Sequence, residues 1–113
     1  MKNQIIENIT PKEAFNLIQL NKDDLNFIII DLRTPNDFSN GHIENSINID
    51  YRSTSFKDEV NKLDLKKKYL IYCRSGRCSA ATLNIMKLPK FIEVYNMLGG
   101  ITQWNLEGFP IVK

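Results

Sequence analysis

Tyr69-Leu70-Ile71-Tyr72-Cys73-Arg74-Ser75-Gly76-Arg77-Cys78-Ser79-Ala80-Ala81 is the stretch on which the fold turns. Tyr69 to Tyr72 is apolar and β-prone, as in a strand buried on both faces. It runs directly into Cys73 and a short polar loop carrying Arg74 and Arg77. From Cys78 to Leu88 a helical period returns, with Ala81, Ile85 and Leu88 on one face and Leu83 and Met86 beside it, until Pro89 stops it. A strand, a tight loop and a helix in direct succession form half of a crossover unit in a parallel sheet.

The same alternation continues on either side. Ile5 to Ile9 reads as a strand, and Thr10-Pro11-Lys12-Glu13 as a helix start with Thr10 as cap and Glu13 closing the capping box. Ala14, Leu17 and Ile18 give that helix its buried stripe, with Phe15 at the edge. Phe27 to Asp31 is a second buried strand, Thr34-Pro35 opens one or two helical turns ended by Asn40-Gly41, and Ser46 to Ile49 is a third strand. Ser53 to Leu63 is helical by the spacing of Phe56, Val60 and Leu63. Ile92 to Met97 is a last strand, Gly99-Gly100 turns the chain, and a short helix carries Ile101 and Trp104. Such alternation predicts an α/β fold in three layers, a parallel sheet with right-handed crossovers and helices on both faces. Ligands of these sheets lie beyond the carboxyl ends of the strands, where Cys73 stands.

The 113 residues suit one domain spanning residues 1–113. The longest apolar runs fall far short of a bilayer span, and Met1 to Ile5 has no secretory signal character, so a cytoplasmic location is expected, with no membrane partner. A net charge of +2 gives no ground for nucleic acid as a partner, and Lys66-Lys67-Lys68 reads as a solvated strand entrance. Two cysteines are too few to staple a secreted scaffold and point to thiol chemistry in a reducing compartment.

At Cys73 three effects favour thiolate: loop amides converging in a nest at a helix start, Gly76 allowing the turn, and the charges of Arg74 and Arg77. Making an ordinary thiol mostly ionised at neutral pH takes roughly 2.7 kcal/mol. A helix N-terminus supplies about 0.3–1 kcal/mol, up to about 2 in good geometry, so loop amides or a nearby Arg must supply the rest. The competing reading, an inert apolar filler, leaves the polar and twice cationic loop without a purpose.

The loop Cys73 to Ser79 resembles the active-site loop of rhodanese-type sulfurtransferases, commonly Cys-Arg-Ser-Gly-Arg-Arg-Ser. Two further stretches agree in order and spacing. Phe27 to Arg33, with Asp37 to Ile43 and Ile47 to Ile49, resembles the family's N-terminal signature. Gly99 to Trp104, with Gly108-Phe109-Pro110-Ile111, resembles its C-terminal one. The resemblance implies a single rhodanese domain with a five-stranded parallel sheet. It implies Cys73 as nucleophile, forming a persulfide with sulfur from a small anionic donor such as thiosulfate and passing it to a thiol or protein acceptor. Amides of Arg74, Ser75, Gly76, Arg77, Cys78 and Ser79 would cradle the terminal sulfur, Arg74 and Arg77 would bind the donor, and no metal or organic cofactor would be needed.

Two positions depart from the common pattern. Cys78 replaces the second Arg; it is either a resolving thiol or a filler at the helix start, and the demands of disulfide geometry inside a tight loop favour the filler. Asn45-Ser46 stands for the usual Gly-Ala, and Asn tolerates the left-handed conformation. His42, the one histidine, is expected to hold a turn, as in the resembling family, and Asp31 with Arg33 to support the loop, although Arg33 could help attract anions. A zinc site from Cys73, Cys78 and His42 matches no common spacing, and Trp104 and Phe109 read as core. Two other functions compete. A phosphatase or arsenate reductase would hold its oxyanion with Cys-x5-Arg, but position 79 is Ser. A sulfur carrier or protein-binding module with little turnover would use the same cysteine.

Overall fold

A computed structural model describes residues 4–113; the reading of Met1 to Asn3 as free of a signal lies outside them. Five strands, β1 (Ile5–Ile9), β2 (Phe27–Asp31), β3 (Ser46–Asn48), β4 (Lys68–Tyr72) and β5 (Glu93–Met97), form one sheet in the order β1-β5-β4-β2-β3. Every pairing is parallel. β4 is central because its residues from Tyr69 to Tyr72 are apolar on both sides, and those four are at most 1% exposed. Their alternation splits the core. Tyr69, Ile71 and Cys73 face Phe56 and Val60 of α3 (Phe56–Asn61) and Leu83 and Met86 of α4 (Arg77–Lys87). Leu70 and Tyr72 face Ala14 of α1 (Pro11–Leu20) and Ile101 and Trp104 of α5 (Gly100–Leu106). The three-layer α/β architecture expected from the alternation is thus the one observed.

The chain passes from β2 outward to β3 in one direction and from β4 outward to β5 in the other. The loops leaving these neighbouring strands therefore diverge, and a crevice opens between their carboxyl ends. This is the topological reason for a site at Cys73.

Local signals account for most boundaries. Thr10 and Glu13 form the expected reciprocal capping box, and Thr34 caps α2 (Pro35–Ser39) through the Asp37 N–H. Asn45 takes the left-handed conformation, with φ of 69°. Lys68 opens β4 and pairs with Asp24 at 3.4 Å, at the sheet end away from Cys73. Trp104 is core, donating to the Pro110 carbonyl at 3.0 Å, and Phe109 stacks on Phe15 with centroids 4.9 Å apart.

Two helices differ from expectation. α3 begins at Phe56 rather than Ser53, because the Ser53 hydroxyl takes the Ser55 N–H and Ser53 N–H turns back to the Asp50 carbonyl. α4 keeps its expected period but is rotated. Ser79, Thr82, Leu83 and Met86 are buried, while Ile85 and Leu88 are 38% and 88% exposed. The rotation brings Ser79 under Cys73, and the hydroxyl of Thr82 is satisfied by the Cys78 carbonyl at 2.8 Å.

A buried polar network ties the two central strands together. Asp31, the last residue of β2 and fully buried, accepts from the Tyr72 hydroxyl at 2.8 Å and from Arg33 at 2.7 Å. The same hydroxyl receives the Ile43 N–H at 3.1 Å and lies 3.3 Å from Ser46 Oγ. Tyr72→Phe leaves the buried Ile43 N–H without an acceptor and should cost about 1–3 kcal/mol in urea unfolding. A loss below about 0.5 kcal/mol would show that water replaces the phenol.

Candidate active site

Cys73 follows β4 without a spacer, so the strand fixes its position, and the loop Arg74–Gly76 then turns into α4. Its Sγ receives N–H groups from Gly76 at 3.2 Å and Ser79 at 3.4 Å. Gly76 takes φ of 99°, a conformation that favours glycine and aims its own N–H at the sulfur. Ser79 Oγ lies 3.4 Å from Sγ and can also donate to the Gly76 carbonyl at 3.3 Å. The hydroxyl hydrogen is therefore free to turn to sulfur once the thiol ionises.

The other side of the loop is held from α5. Ile101 and Thr102 donate their N–H groups to the carbonyls of Cys73 and Arg74 at 2.9 and 3.1 Å. Gly100 makes this approach possible, because a Cβ there would fall on the Cys73 carbonyl and 2.5 Å from that of Arg74.

Burial pushes the Cys73 thiol up, but the Ser79 hydroxyl and the amides of Ser79, Gly76 and Ser75 outweigh it, and the net shift is downward. Cys78 moves the opposite way: burial and the neighbouring Cys73 raise it, against a smaller lowering by the Arg52 guanidinium. Within one loop the two thiols are thus shifted in opposite directions, Cys73 toward thiolate and Cys78 away from it. Around Sγ itself the amides that lower the pKa are those of Ser79, Gly76 and Ser75. The N–H groups of Arg77 and Cys78, the first two of α4, have no acceptor among the described residues.

Although Cys73 is only 4% exposed, it lines a cavity of about 430 Å³. Leu32, Arg33, Thr34 and Asp37 close one side of it, Asp50, Tyr51 and Arg52 another, and Arg74, Ser75, Arg77 and Cys78 surround the cysteine. Arg74, its side chain 73% exposed, pairs with Asp37 at 3.2 Å. Arg33 is bound to Asp31 and to the Gly41 carbonyl; burial lowers its pKa, but the Asp31 carboxylate outweighs that and the net shift is upward. Arg77 and Arg52 have no carboxylate partner among the described residues. The sequence reading missed Arg52. Its one signal was its place just past the carboxyl end of β3, the edge where ligands collect.

His42 lies outside the cavity. Its ring stacks on Phe38 at 3.8 Å and bonds the Phe38 carbonyl through Nδ1 at 2.7 Å, while its backbone pairs with Val112. Among the described residues no cluster of His, Cys, Asp or Glu could hold a metal ion, and no helix is long and apolar enough to cross a membrane.

A parallel sheet covered by helices on both faces, with a cysteine ringed by amides at its switch point, places the chain among three-layer α/β proteins. Comparison with known proteins narrows the class. Residues 10–107 match the family model described as Rhodanese-like domain. The chain belongs to that family. It is 32% identical over 78 residues to Thiosulfate sulfurtransferase GlpE of Stutzerimonas stutzeri (strain A1501), covering 69% of this chain and 70% of the relative. It is 27% identical over 100 residues to a sulfurtransferase of Allochromatium vinosum, covering 88% and 92%. Among solved structures, a rhodanese-related protein from Thermoplasma volcanium superposes with a TM-score of 0.78 at 28% identity, over 94% of this chain and 97% of that one.

Because the folded site lowers the Cys73 pKa, its alkylation rate should rise with pH through a midpoint below that of the unfolded chain. Ser79→Ala removes the largest downward influence and should move the midpoint up, so less thiolate is present at pH 7. Gly100→Ala, which must push the loop carbonyls off α5, should do the same. Iodoacetamide rates at Cys73, resolved by peptide mass between pH 5 and 10, give all three midpoints. Coincident curves for the variants and the parent would refute the amide-ring account.

Proposed function

We propose that the chain is a sulfurtransferase carrying sulfane sulfur as a persulfide on Cys73, from a donor of the thiosulfate class to a thiol or protein acceptor. The observation that carries this reading is the convergence of Gly76 and Ser79 N–H groups on the Cys73 sulfur at the floor of an arginine-rimmed cavity. A thiolate held there attacks the outer sulfur of thiosulfate. The new S–S bond forms as the bond to the sulfonate sulfur breaks, and sulfite leaves with the electron pair. The persulfide keeps one negative charge on its terminal sulfur, and the open N–H groups of Arg77 and Cys78 are the donors available to it. An acceptor thiolate, or cyanide in an assay, then attacks that sulfur and returns Cys73 as thiolate. Charge and electrons balance among the sulfur species alone, so the cycle calls on no cofactor.

Family membership and the sulfurtransferase names of the relatives support the class of reaction. Ser79 argues against the oxyanion chemistry of a phosphatase. Its hydroxyl and amide serve the sulfur, and no guanidinium stands at that position. Cys78, half-buried against the apolar cluster with a raised pKa, fits the filler reading better than a resolving thiol.

Treatment with thiosulfate should add one sulfur atom to Cys73, read by peptide mass, and none in Cys73→Ala. Steady-state transfer to cyanide should exceed that of Cys73→Ala by at least about 10²-fold. Equal rates would remove the enzyme reading, and a persulfide without turnover would leave a carrier.

A further inference from the structure

Four arginines border the cavity, but they are not equivalent. Arg33 is neutralised by the buried Asp31, and Arg74 by Asp37. Asp50, the remaining carboxylate of the lining, accepts the Arg52 backbone N–H at 2.9 Å in a local turn and forms no ion pair with a guanidinium. Two uncommitted cations remain, Arg77 on the first turn of α4 and Arg52 on the loop leaving β3. They come from different elements that meet only at the switch point.

We infer that Arg52, acting with Arg77, is a specificity-determining residue that selects doubly charged tetrahedral anions over singly charged ones at the mouth above Cys73. This rests on the sulfurtransferase reading for its biological meaning, though not for its geometry. A thiosulfate-class donor carries two negative charges, delocalised over the group that leaves as sulfite. One guanidinium can answer one of those charges; with Arg77 as that group the second needs a separate cation, and Arg52 is the other lining arginine without a carboxylate partner among the described residues. Arg52 lines the same cavity as Cys73, Arg77 and Cys78. An arginine fork presents paired N–H groups to two oxygens of such an anion, which a lysine reproduces only as a point charge.

Inert anions test this without turnover. Sulfate, a dianion, and methanesulfonate, a monoanion of similar shape, are titrated as protectants of Cys73 against iodoacetamide at fixed ionic strength. The parent chain should be half-protected by sulfate at about tenfold lower concentration than by methanesulfonate. Arg52→Gln should raise the sulfate requirement about tenfold and collapse the ratio toward one, with Arg52→Lys in between. Lys57→Gln, removing the same charge from α3 outside the cavity, controls for net charge. A ratio unchanged in Arg52→Gln, or equally reduced in Lys57→Gln, overturns the inference. The sulfur-transfer reading is judged separately, by sulfur gained on Cys73 from thiosulfate. A dianion preference without persulfide would keep the anion seat and discard sulfur transfer; persulfide without the preference would keep sulfur transfer and discard the seat.

Discussion

Two hydrogen bonds from the first turn of α5 govern the site. Ile101 and Thr102 take the carbonyls of Cys73 and Arg74, so both peptide units point their oxygens at α5. A trans peptide sets its N–H opposite its C=O. The unit whose carbonyl is held by Thr102 therefore turns the Ser75 N–H the other way, and the Ser75 amide is among the groups that lower the Cys73 pKa. The nest around the sulfur is thus imposed from behind. Gly100 permits the close approach, which explains why a glycine pair distant in sequence belongs to the chemistry of the cysteine loop.

The same constraint fixes α4. With Gly76 in a left-handed turn and Ser79 required beneath the sulfur, the helix has no freedom of rotation left, and the row Ser79, Thr82, Leu83, Met86 must face the sheet. Two small polar residues in that row are tolerated because each has a partner: Ser79 bonds Cys73 and Gly76, and Thr82 bonds the Cys78 carbonyl. Hydrophobicity alone would have chosen Ala81, Ile85 and Leu88.

That contrast marks what is legible in the sequence. Period, order and caps come from neighbours within four residues, so the strands, the Thr10 and Thr34 caps and the polar loop after Tyr72 could all be read. The place of Cys73 at the carboxyl end of β4, directly before a loop and a helix, could be read in the same way. Phase and pairing depend on partners far along the chain. The hydroxyl of Tyr72 reaches Asp31 across 41 positions, and nothing local announces a tyrosine whose ring packs in one layer while its oxygen joins an ion pair. Arg74 and Arg77 look alike in the loop, yet Asp37 claims the first and leaves the second. Arg52 sits among serines and tyrosine without a motif, and only the crossing of the strands brings it to the cavity.

The division between floor and rim follows from what each kind of charge costs to bury. A guanidinium placed beside a cysteine as buried as Cys73 would lose most of its hydration, a penalty its attraction for one thiolate does not reliably offset. Backbone amides carry only partial charges, are already fixed by the loop and helix, and lose little further solvation on facing sulfur. The fold accordingly lowers the Cys73 pKa with dipoles and leaves Arg52 and Arg77 exposed at the edge of the cavity. Arg33 is the exception that supports the rule: it is largely buried only with Asp31 bound to it at 2.7 Å. The Cys73 pKa is thereby lowered by one hydroxyl and by backbone amides, and not by the guanidinium groups that line the cavity.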